Sequence, residues 1–493
     1  MAAHDPKDTC LEVIDWMRAG AGGALKVDRV IETHCAVVVL AGDQAFKLKK
    51  PVDLGYLDFS SFEKRQWALE RELAFNQPVA PSVYRALHTI NRTVDGALSL
   101  GGAGQVIEWA LEMRRFDETT VLSNQPQGVQ GDLAEGLGRM VAGFHAHADP
   151  RPQGGGAGGL GYTITSNALL MRGLGEVLGG ADVEALIAAT DAEFSARAAL
   201  LDRRQGLGLG RRCHGDLHLG NLFIEDGQPV LFDCIEFNDQ LSDADIQYDL
   251  AFLLMDLVFR GNKGGAVRVL SGYLDQAARD FGDAAFEGLA ALPLMLAVRA
   301  GVRAHVSAQM GQADLAKAYV QAGLDHLKPK PLSLMAIGGL SGSGKSFTAR
   351  NLAPSLQAVI LRSDEIRKRL WGCAPRQALP REAYGPDQSG RVYGQMLHEA
   401  GLMLKAGQSV VLDAVFLRPA ERDAVRALAA EHAVAFEGLW LEAPASLLQA
   451  RIAARTNDAS DADVAVLDLQ LAQDAGPMDW VRTASDQAIL KLH

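Results

Sequence analysis

One short segment restricts the fold of this chain more than any other, a β-hairpin predicted between Asn221 and Asp233. Leu222 to Ile224 is an apolar run, Asp226-Gly227 is a two-residue turn signal, and Val230 to Phe232 is the returning strand. A hairpin brings the residue before its first strand close to the residue after its second strand, so Asn221 and Asp233 are expected to meet. Their oxygens would suit a hard cation such as Mg²⁺, which prefers carboxylate, carbonyl and water ligands.

The loop that enters this hairpin carries His214 and Asp216 in the spacing His-x-Asp-x4-Asn. Asp216 is placed to accept a proton from a hydroxyl beside the predicted metal. Phosphoryl transfer needs such a carboxylate together with an Asn and an Asp on the metal. An ordinary polar loop followed by a common Asp-Gly turn is the alternative, but the combined spacing favours the functional interpretation.

The segment His-Gly-Asp-Leu-His-Leu-Gly-Asn at 214–221 resembles the catalytic loop of aminoglycoside and choline phosphotransferases. These enzymes share the fold of eukaryotic protein kinases, and Phe232-Asp233 resembles their second metal-binding element. The resemblance implies that Asp216 is the catalytic aspartate and that Asn221 and Asp233 are the metal ligands. His218 has no matched role and is expected to be a hydrogen-bonded loop residue.

Two upstream elements fit the ATP side of such a fold. The predicted strand 44–49 places Lys47 beside the small Ala45, as a kinase strand presents an ammonium group to ATP phosphates. Lys49 shares that face and is the second choice, and an exposed amphipathic strand is the alternative. The predicted helix 62–76 carries Glu72, our choice for the partner of the lysine. Glu70 is its rival, and either glutamate could be a surface residue.

Residues 51–60 and 73–81 resemble a branch of these phosphotransferases that is fused to a C-terminal ATP-binding domain. The chain departs from the protein-kinase pattern because no GxGxxG loop lies between its first strands. The segment 106–113 is predicted either as the linker between lobes or as an edge strand.

Three features further along receive structural interpretations. His145 and His147 end a predicted helix and are expected to interact with its dipole. The glycine run 154–159 is predicted to be a mobile loop. Asp249 resembles the structural aspartate at the start of a C-lobe helix.

A second nucleotide motif begins after Lys328-Pro-Lys-Pro331, a stiff polar boundary. An apolar strand at 332–337 is followed by a complete GxxxxGK[ST] motif and then by a helix. In this order the backbone N–H groups converge on phosphates at a helix N-terminus. Lys345 is expected to reach the β- and γ-phosphates, and Ser346 is expected to bind Mg²⁺. The glycines of the motif are Gly339, Gly342 and Gly344.

Residues 332–460 resemble P-loop kinases of the gluconate kinase, shikimate kinase and zeta-toxin type. The resemblance implies that Asp364, after the second strand, is the base or orienting group for an acceptor hydroxyl. It also implies that Arg367 contacts the substrate and that Asp413 is the carboxylate on the metal side. Ala414 follows Asp413 where motor ATPases usually have a glutamate, which favours a kinase.

Arg451 and Arg455 lie one helical turn apart, where this group of kinases carries a lid arginine that closes on the phosphates. Solvated helix arginines are the alternative for either residue.

The composition excludes several classes of protein. With 493 residues the chain should form two or three domains, and a net charge of −12 argues against a nucleic-acid partner. The five cysteines form no CxxC pair, which indicates a reducing compartment without structural zinc. We find no leader pattern and no apolar run near the ~20 residues of a membrane span. A cytoplasmic protein without a membrane partner is therefore expected.

Together these features predict an α+β bilobal kinase-like domain at 1–328 and an α/β P-loop domain with a parallel sheet at 329–493. The expected function is ATP- and Mg²⁺-dependent phosphorylation of a hydroxyl on a small metabolite of the sugar, amino-sugar or nucleotide-sugar class, with two ATP sites. Three alternatives stay open. One domain would be a non-catalytic ATP-binding regulator of the other, or the P-loop domain would be a toxin-like kinase. In the third, the whole chain would be a scaffold that uses ATP only to hold its shape.

Overall fold

The computed structural model describes residues 6–54, 57–454 and 459–484, which form two compact units. The strands are β1 (Arg29–Glu32), β2 (Ala36–Ala41), β3 (Gln44–Lys49), β4 (Tyr84–Arg92), β5 (Leu98–Leu100), β6 (Gln105–Arg114), β7 (Gly210–Arg212), β8 (Leu222–Glu225), β9 (Gln228–Leu231), β10 (Asp243–Asp245), β11 (Ser333–Gly339), β12 (Val359–Arg362), β13 (Val410–Asp413), β14 (Ala435–Glu442) and β15 (Val481–Ala484). The α-helices are α1 (Pro6–Arg18), α2 (Phe62–Asn76), α3 (Gly131–His147), α4 (Gly156–Gly173), α5 (Gly175–Leu178), α6 (Gly180–Gly206), α7 (Asp239–Ser242), α8 (Ile246–Phe259), α9 (Lys263–Phe281), α10 (Ala284–Glu287), α11 (Leu292–Gln309), α12 (Ala313–Leu327), α13 (Lys345–Leu356), α14 (Ser363–Leu370), α15 (Pro386–Lys405), α16 (Pro419–Glu431), α17 (Ala445–Ala453) and α18 (Val464–Leu471). Short 3₁₀ helices occupy Ala21–Gly23, Glu118–Thr120, Leu122–Asn124, Pro126–Gly128, Leu219–Asn221, Gly288–Ala291 and Arg381–Tyr384.

The first unit comprises residues 1–125 and 211–244 and is built on a six-stranded sheet in the order β1-β2-β3-β6-β4-β5. Apolar side chains of β2 and β3, including Val37 and Phe46, pack with α1 residues such as Cys10. Strand β6 pairs with both β3 and β4, so it is an interior strand. The prediction of an edge strand for 106–113 is therefore wrong.

Helix α2 begins where predicted, with Ser61 accepting a hydrogen bond from the Lys64 N–H group as N-cap. A buried ion pair fixes the helix to the sheet, because Arg65 donates to Glu108 of β6 at 2.8 Å and both side chains are excluded from solvent. Burial raises the pKa of Glu108, against the opposing effect of the Arg65 guanidinium. This contact orients the face of α2 that carries Glu72.

The predicted hairpin is confirmed as β8 and β9, which pair antiparallel with Leu222 opposite Leu231. Asp226 and Gly227 both have positive φ, as a two-residue turn of this kind requires. The Phe232 N–H group donates to the Asn221 carbonyl at 3.1 Å, which brings the two ends of the hairpin together.

The second unit comprises residues 126–210 and 245–493. Its helices α3 and α9 pack closely, since a Cβ on Gly138 would overlap the Val269 carbonyl oxygen and a Cβ on Gly272 would overlap the Glu135 carbonyl oxygen. Glycine at both positions lets the two helix backbones approach.

One prediction within this unit is wrong. The glycine run at 154–159 is not a loop throughout, because α4 begins at Gly156 and buries Leu160 and Ile164 on one face. Here tertiary packing overrides the local pattern.

His145 and His147 lie in the last turn of α3, as predicted, and His147 Nδ1 lies 2.7 Å from the Gly143 carbonyl oxygen. His145 is in addition fully buried, 3.0 Å from the Tyr273 hydroxyl and 3.1 Å from Asp249.

The second unit also contains a five-stranded sheet in the order β12-β13-β11-β14-β15, in which all four pairs of neighbours are parallel. Its core includes Ile337, Val411 and Leu439 from three neighbouring strands, packed with α13 residues such as Leu352. A parallel sheet with helices packed on it matches the predicted α/β class. The carboxyl ends of β11, β12 and β13 lie side by side, which places the loops that follow them at one edge.

Among the described residues, one helical stretch, Ala284–Gln309, is long and apolar enough by composition to span a bilayer. Its most apolar part is 72% buried inside the protein, as in the core helix of a globular protein.

A buried ion pair at the start of α8 gives a stability prediction. Arg204, which is 1% exposed, donates to both carboxylate oxygens of Asp245 at 2.7 and 2.9 Å. We expect Asp245→Asn to lower the free energy of unfolding by about 3–5 kcal/mol, because it leaves a buried guanidinium uncompensated. The matched control is Glu287→Gln, which breaks the exposed pair with Arg203 and should cost about 0–1 kcal/mol. Urea unfolding followed by circular dichroism measures both, and equal shifts for the two variants would contradict the prediction.

Candidate active sites

The first unit brings together the side chains predicted for the ATP side of a kinase fold. Lys47 Nζ lies 2.6 Å from Glu72 Oε1 and 2.8 Å from Asp233 Oδ1. The lysine comes from β3, the glutamate from α2, and the aspartate follows the β8–β9 hairpin. We refer to Lys47, Glu72, Asp216, Asn221 and Asp233 as the kinase-like site.

The opposite charges of Lys47 and the neighbouring carboxylates stabilise the ionised forms of Lys47 and Asp233. Burial disfavours the Lys47 ammonium, but the carboxylates of Asp233 and Glu72 outweigh it and raise the Lys47 pKa well above its usual range. Burial likewise opposes ionisation of Asp233, while Lys47 overcomes it and lowers the pKa of that carboxyl. Asp233 therefore stays an anionic oxygen ligand near neutral pH.

Asp216 and Asn221 are in direct contact at the entrance to the hairpin. Asn221 Nδ2 donates to the Asp216 carboxylate and to the Asp216 carbonyl, both at 2.9 Å. His218 Nε2 lies 3.3 Å from the same carboxylate, consistent with the hydrogen-bonded loop role expected for it. The Asn221 amide nitrogen is thus engaged by Asp216, so the amide oxygen is the atom that a metal would take. With Asp233 this gives the hard oxygen donors that suit Mg²⁺.

Sequence reasoning missed two residues that complete the kinase-like site, Glu236 and Tyr84. Lys49 reaches Glu72 Oε2 and Glu236 Oε1, both at 2.6 Å, so the two lysines of β3 share one glutamate. The Tyr84 hydroxyl accepts a hydrogen bond from the Asp233 N–H group at 3.0 Å and supports a residue with φ of +64°. Lys49 was visible on the same strand face as Lys47, whereas neither Glu236 nor Tyr84 carries a motif.

The two glutamates of α2 provide a matched test of the kinase-like site. Glu72 is fully buried between Lys47 and Lys49, whereas Glu70 is exposed and accepts a hydrogen bond from Gln66. We expect Glu72→Gln to reduce phosphotransfer at this site by roughly 10²-fold, because Lys47 loses the carboxylate that positions it. Glu70→Gln should leave the rate unchanged in the same steady-state assay. An equal loss in both variants would assign the effect to the helix surface.

The GxxxxGK[ST] motif lies between β11 and α13, as its sequence order predicts. Gly339 and Gly342 have positive φ, and a Cβ on either would lie within 2.7 Å of a carbonyl oxygen, from Leu441 and Leu448 respectively. Gly344, with φ of +90°, is the N-cap of α13. The loop thus ends at a helix N-terminus, the arrangement that binds phosphate.

The side chains expected on nucleotide and metal lie around this loop. Lys345 Nζ donates to the Leu340 carbonyl at 3.0 Å, so it is folded over the loop. Asp413 ends β13, opposite Ile337 of β11 and Arg362 of β12 in the parallel register. The Arg362 guanidinium joins Ser346 to Asp413, with distances of 3.1 Å to Ser346 Oγ and 3.2 Å to Asp413 Oδ2. We refer to residues 339–346 with Arg362, Asp364 and Asp413 as the P-loop site.

A positively charged group between Ser346 and Asp413 shows that these two oxygens suit a cation. A hydroxyl that follows the P-loop lysine and a carboxylate at a strand end form the usual magnesium position of P-loop proteins. The residues present therefore fit Mg²⁺. No motif in the sequence pointed to Arg362.

The predicted acceptor side of the P-loop site lies on α14. Burial raises the pKa of Asp364, and Asp413 adds to this while Arg362 opposes it. Arg367 donates to the Ala383 carbonyl at 2.5 Å and stacks over the Tyr384 ring at 4.8 Å. Its buried Nε has no hydrogen-bond partner among the described residues. An anionic substrate group would satisfy a donor of this kind.

Of the two predicted lid arginines, Arg451 lies on α17 and donates to the Gly342 carbonyl at 3.4 Å, beside the P-loop. Arg455 lies outside the described residues. One of the two candidates is thus adjacent to the phosphate-binding loop.

Two protein families match this chain. The phosphotransferase enzyme family matches residues 61–289, and the AAA domain matches residues 334–477. An uncharacterized protein of Mycobacterium tuberculosis (strain H37Rv), Rv2004c, is 32% identical over 468 residues, which cover 92% of this chain and 90% of the relative. An uncharacterized protein of Mycobacterium bovis, Mb2027c, matches to the same extent.

Solved structures resemble this chain over part of its length and at low sequence identity. A gluconokinase from Sinorhizobium meliloti 1021 is 22% identical with a TM-score of 0.23, covering 33% of this chain and 90% of that enzyme. An ethanolamine kinase from Plasmodium vivax is 10% identical with a TM-score of 0.36, covering 62% of this chain and 81% of that enzyme.

The family matches include every residue of the kinase-like site except Lys47 and every residue of the P-loop site. The mycobacterial relative matches 92% of the chain. The chain therefore belongs to a family of kinases in which an aminoglycoside phosphotransferase-like region is followed by a P-loop kinase region.

Proposed function

We propose that this kinase transfers the γ-phosphoryl group of ATP to a hydroxyl of a small metabolite and that it has two ATP sites, each with Mg²⁺. The observation that carries the proposal is the contact of Lys47 with both Glu72 and Asp233. This contact joins strand β3, helix α2 and the end of the β8–β9 hairpin, and in kinases such a lysine and aspartate lie beside the nucleotide phosphates. The proposed domains are residues 1–328 and 329–493.

At the kinase-like site, Lys47 would bind the nucleotide phosphates while Asn221 and Asp233 hold the metal, which neutralises phosphate charge when bound. The acceptor oxygen forms a bond to the γ-phosphorus as the bond to the leaving ADP oxygen breaks. Asp216 accepts the proton of the acceptor hydroxyl. Asn221 supports this role by fixing the Asp216 carboxylate through its amide N–H group at 2.9 Å.

At the P-loop site, Lys345 and the backbone of residues 339–346 would bind the phosphates, with Ser346 and Asp413 on the metal side. Asp364 would orient the acceptor hydroxyl, and burial raises the pKa of its carboxyl group, as is common for acid–base groups at functional sites. Arg367 would contact an anionic part of the substrate, and Arg451 with Arg455 would cover the phosphates. These roles rest on the family resemblance together with the positions of the described side chains.

The acceptor is proposed to be a sugar, an amino sugar or a nucleotide sugar, because the resembling kinases phosphorylate hydroxyls of small polar molecules. A net charge of −12 makes a nucleic-acid partner unfavourable. The five cysteines, all within the described residues, form no disulfide, which supports the proposed cytoplasmic location.

The test uses the full-length chain with ATP, Mg²⁺ and a library of hydroxylated metabolites, and it measures acceptor-dependent ADP release. Parallel measurements on Asp216→Asn and Lys345→Ala variants assign each activity to one site. Calorimetry with Mg–ADP should find two bound nucleotides per wild-type chain and one in Lys345→Ala. A single nucleotide in both proteins, or tight binding without acceptor-dependent turnover, would contradict two active sites.

A further inference from the structure

The Arg362 guanidinium is the positively charged group that lies in the P-loop metal position. All three of its nitrogens are engaged: Nε by Asp413, Nη2 by Ser346 and Nη1 by Glu365 at 3.4 Å. The residue is 5% exposed, so protein groups replace most of its hydration. A divalent cation between Ser346 and Asp413 would repel a guanidinium that lies against the same two oxygens. Both cannot keep these contacts at once.

Glu365 is an acceptor that can hold Arg362 after it leaves Asp413. It lies on α14, three residues beyond Arg362, and its carboxylate is almost completely buried. The same oxygen, Glu365 Oε1, also accepts a hydrogen bond from Arg139 Nη2 at 2.9 Å. Two guanidinium groups therefore compete for one carboxylate oxygen.

Arg139 belongs to α3, within the region that matches the phosphotransferase enzyme family. It also contacts Asp275 of α9 at 3.3 Å, and Asp275 in turn accepts from Arg369 of α14 at 3.0 Å. A second pair joins α3 to the P-loop helix, because Arg350 of α13 donates to Glu135 of α3 at 2.8 Å. Charged contacts thus run continuously from Ser346 and Asp413 to the α3–α9 pair.

Little space remains around this chain of charges. A cavity of about 10 Å³, lined in part by Arg139, Arg350, Arg362 and Glu365, holds at most about one water molecule. Movement of the Arg362 guanidinium toward Glu365 must therefore change the contact between Glu365 and Arg139.

We propose that Arg362 is a built-in counter-cation of the P-loop metal position that Mg²⁺ displaces toward Glu365, so that Glu365 and Arg139 set the affinity of the P-loop site for magnesium. This inference rests on the proposed function of the P-loop site as a Mg–nucleotide site. It assigns Arg362, Glu365 and Arg139 as positioning residues. It also links metal binding at the P-loop to helices of the phosphotransferase region.

The experiment measures the magnesium enhancement, defined as the ratio of the ADP dissociation constant in EDTA to that in Mg²⁺. Calorimetric titrations use the full-length chain, and the Lys345→Ala chain supplies the signal of the kinase-like site alone. Arg362→Gln should raise the enhancement about tenfold, because the competing cation is gone. Glu365→Gln should lower it about fivefold, because Arg362 loses the acceptor that draws it away from Asp413.

Two further variants separate this mechanism from simple loss of structure. In the Arg362→Gln background, Glu365→Gln should have no additional effect, since Glu365 acts through Arg362. Arg139→Gln should raise the enhancement, because it frees the Glu365 oxygen for Arg362. Arg426→Gln on α16, which breaks an exposed pair, is the control and should change nothing.

The outcomes distinguish the inference from the function on which it rests. If wild-type and Lys345→Ala chains bind the same number of ADP molecules, the proposed P-loop site fails. If the P-loop site binds ADP but Arg362→Gln and Glu365→Gln shift the enhancement in the same direction, the counter-cation inference is wrong. An unchanged enhancement in both variants would overturn it equally. Thermal unfolding of each variant without nucleotide confirms that the folded chain is being titrated.

Discussion

Asp216→Asn is expected to abolish acceptor-dependent ADP release at the kinase-like site while leaving nucleotide affinity within a few-fold of wild type. The carboxylate accepts from Asn221 at 2.9 Å, and an asparagine side chain has nearly the same shape. The Asp216 backbone carbonyl would still accept from Asn221, so the loop should keep its conformation. The amide cannot take up the acceptor proton, and loss of a general base typically costs about 10²–10⁴-fold in rate.

The measurement is kcat for ADP release with a saturating acceptor, alongside ADP affinity by calorimetry. Asp226→Asn is the matched control, because it makes the same change in the exposed turn of the same hairpin, where asparagine tolerates positive φ. The control should retain full activity. A fully active Asp216→Asn chain would remove Asp216 from its proposed role, and a parallel loss of affinity would instead indicate a disrupted loop.

Lys345→Ala is expected to abolish nucleotide binding at the P-loop site only, with a loss of affinity of roughly 10²-fold or more. The lysine is the first residue of α13, where alanine is well accommodated in the helix. Its ammonium group donates to the Leu340 carbonyl of the phosphate-binding loop, so it is already beside the expected phosphates. Removing it deletes the principal positive charge of the motif.

The readout is the number of Mg–ADP molecules bound per chain, which should fall from two to one. Lys405→Ala, at the exposed end of α15, is the control and should still bind two. Activity that depends on Asp216 should persist in Lys345→Ala. Loss of both activities would instead reveal coupling between the two sites.

Local sequence predicted those parts of the fold whose partners lie a few residues apart. The hairpin, helix α2 and the glycine loop before α13 each depend on turns and caps within about 15 residues, and all are present. Glycine content alone gave a wrong prediction where packing determines the secondary structure. The run at 154–159 contains the start of α4 because that helix buries Leu160 and Ile164 against the rest of its unit.

In the candidate sites, too, local spacing predicted some residues and tertiary contacts were needed for others. The spacing of the His-x-Asp-x4-Asn loop already specified Asp216 and Asn221, and a hairpin necessarily joins Asn221 to Asp233. Choosing between Glu70 and Glu72 required the three-dimensional position of α2, which the buried pair of Arg65 with Glu108 fixes. The pairing of Lys49 with Glu236 also required the tertiary structure, because the two residues lie 187 positions apart in the sequence.

The sequence by itself determined that this chain carries a kinase-like catalytic loop and a P-loop, because both motifs are contiguous and their backbone geometry is local. Only the tertiary structure placed Arg362 between Ser346 and Asp413 and joined Glu365 to Arg139. Those contacts depend on the order of the parallel strands and on the packing of α3 and α9. Strand order and helix packing are set by burial over the whole unit, through contacts between residues far apart in the chain that no short-range pattern specifies.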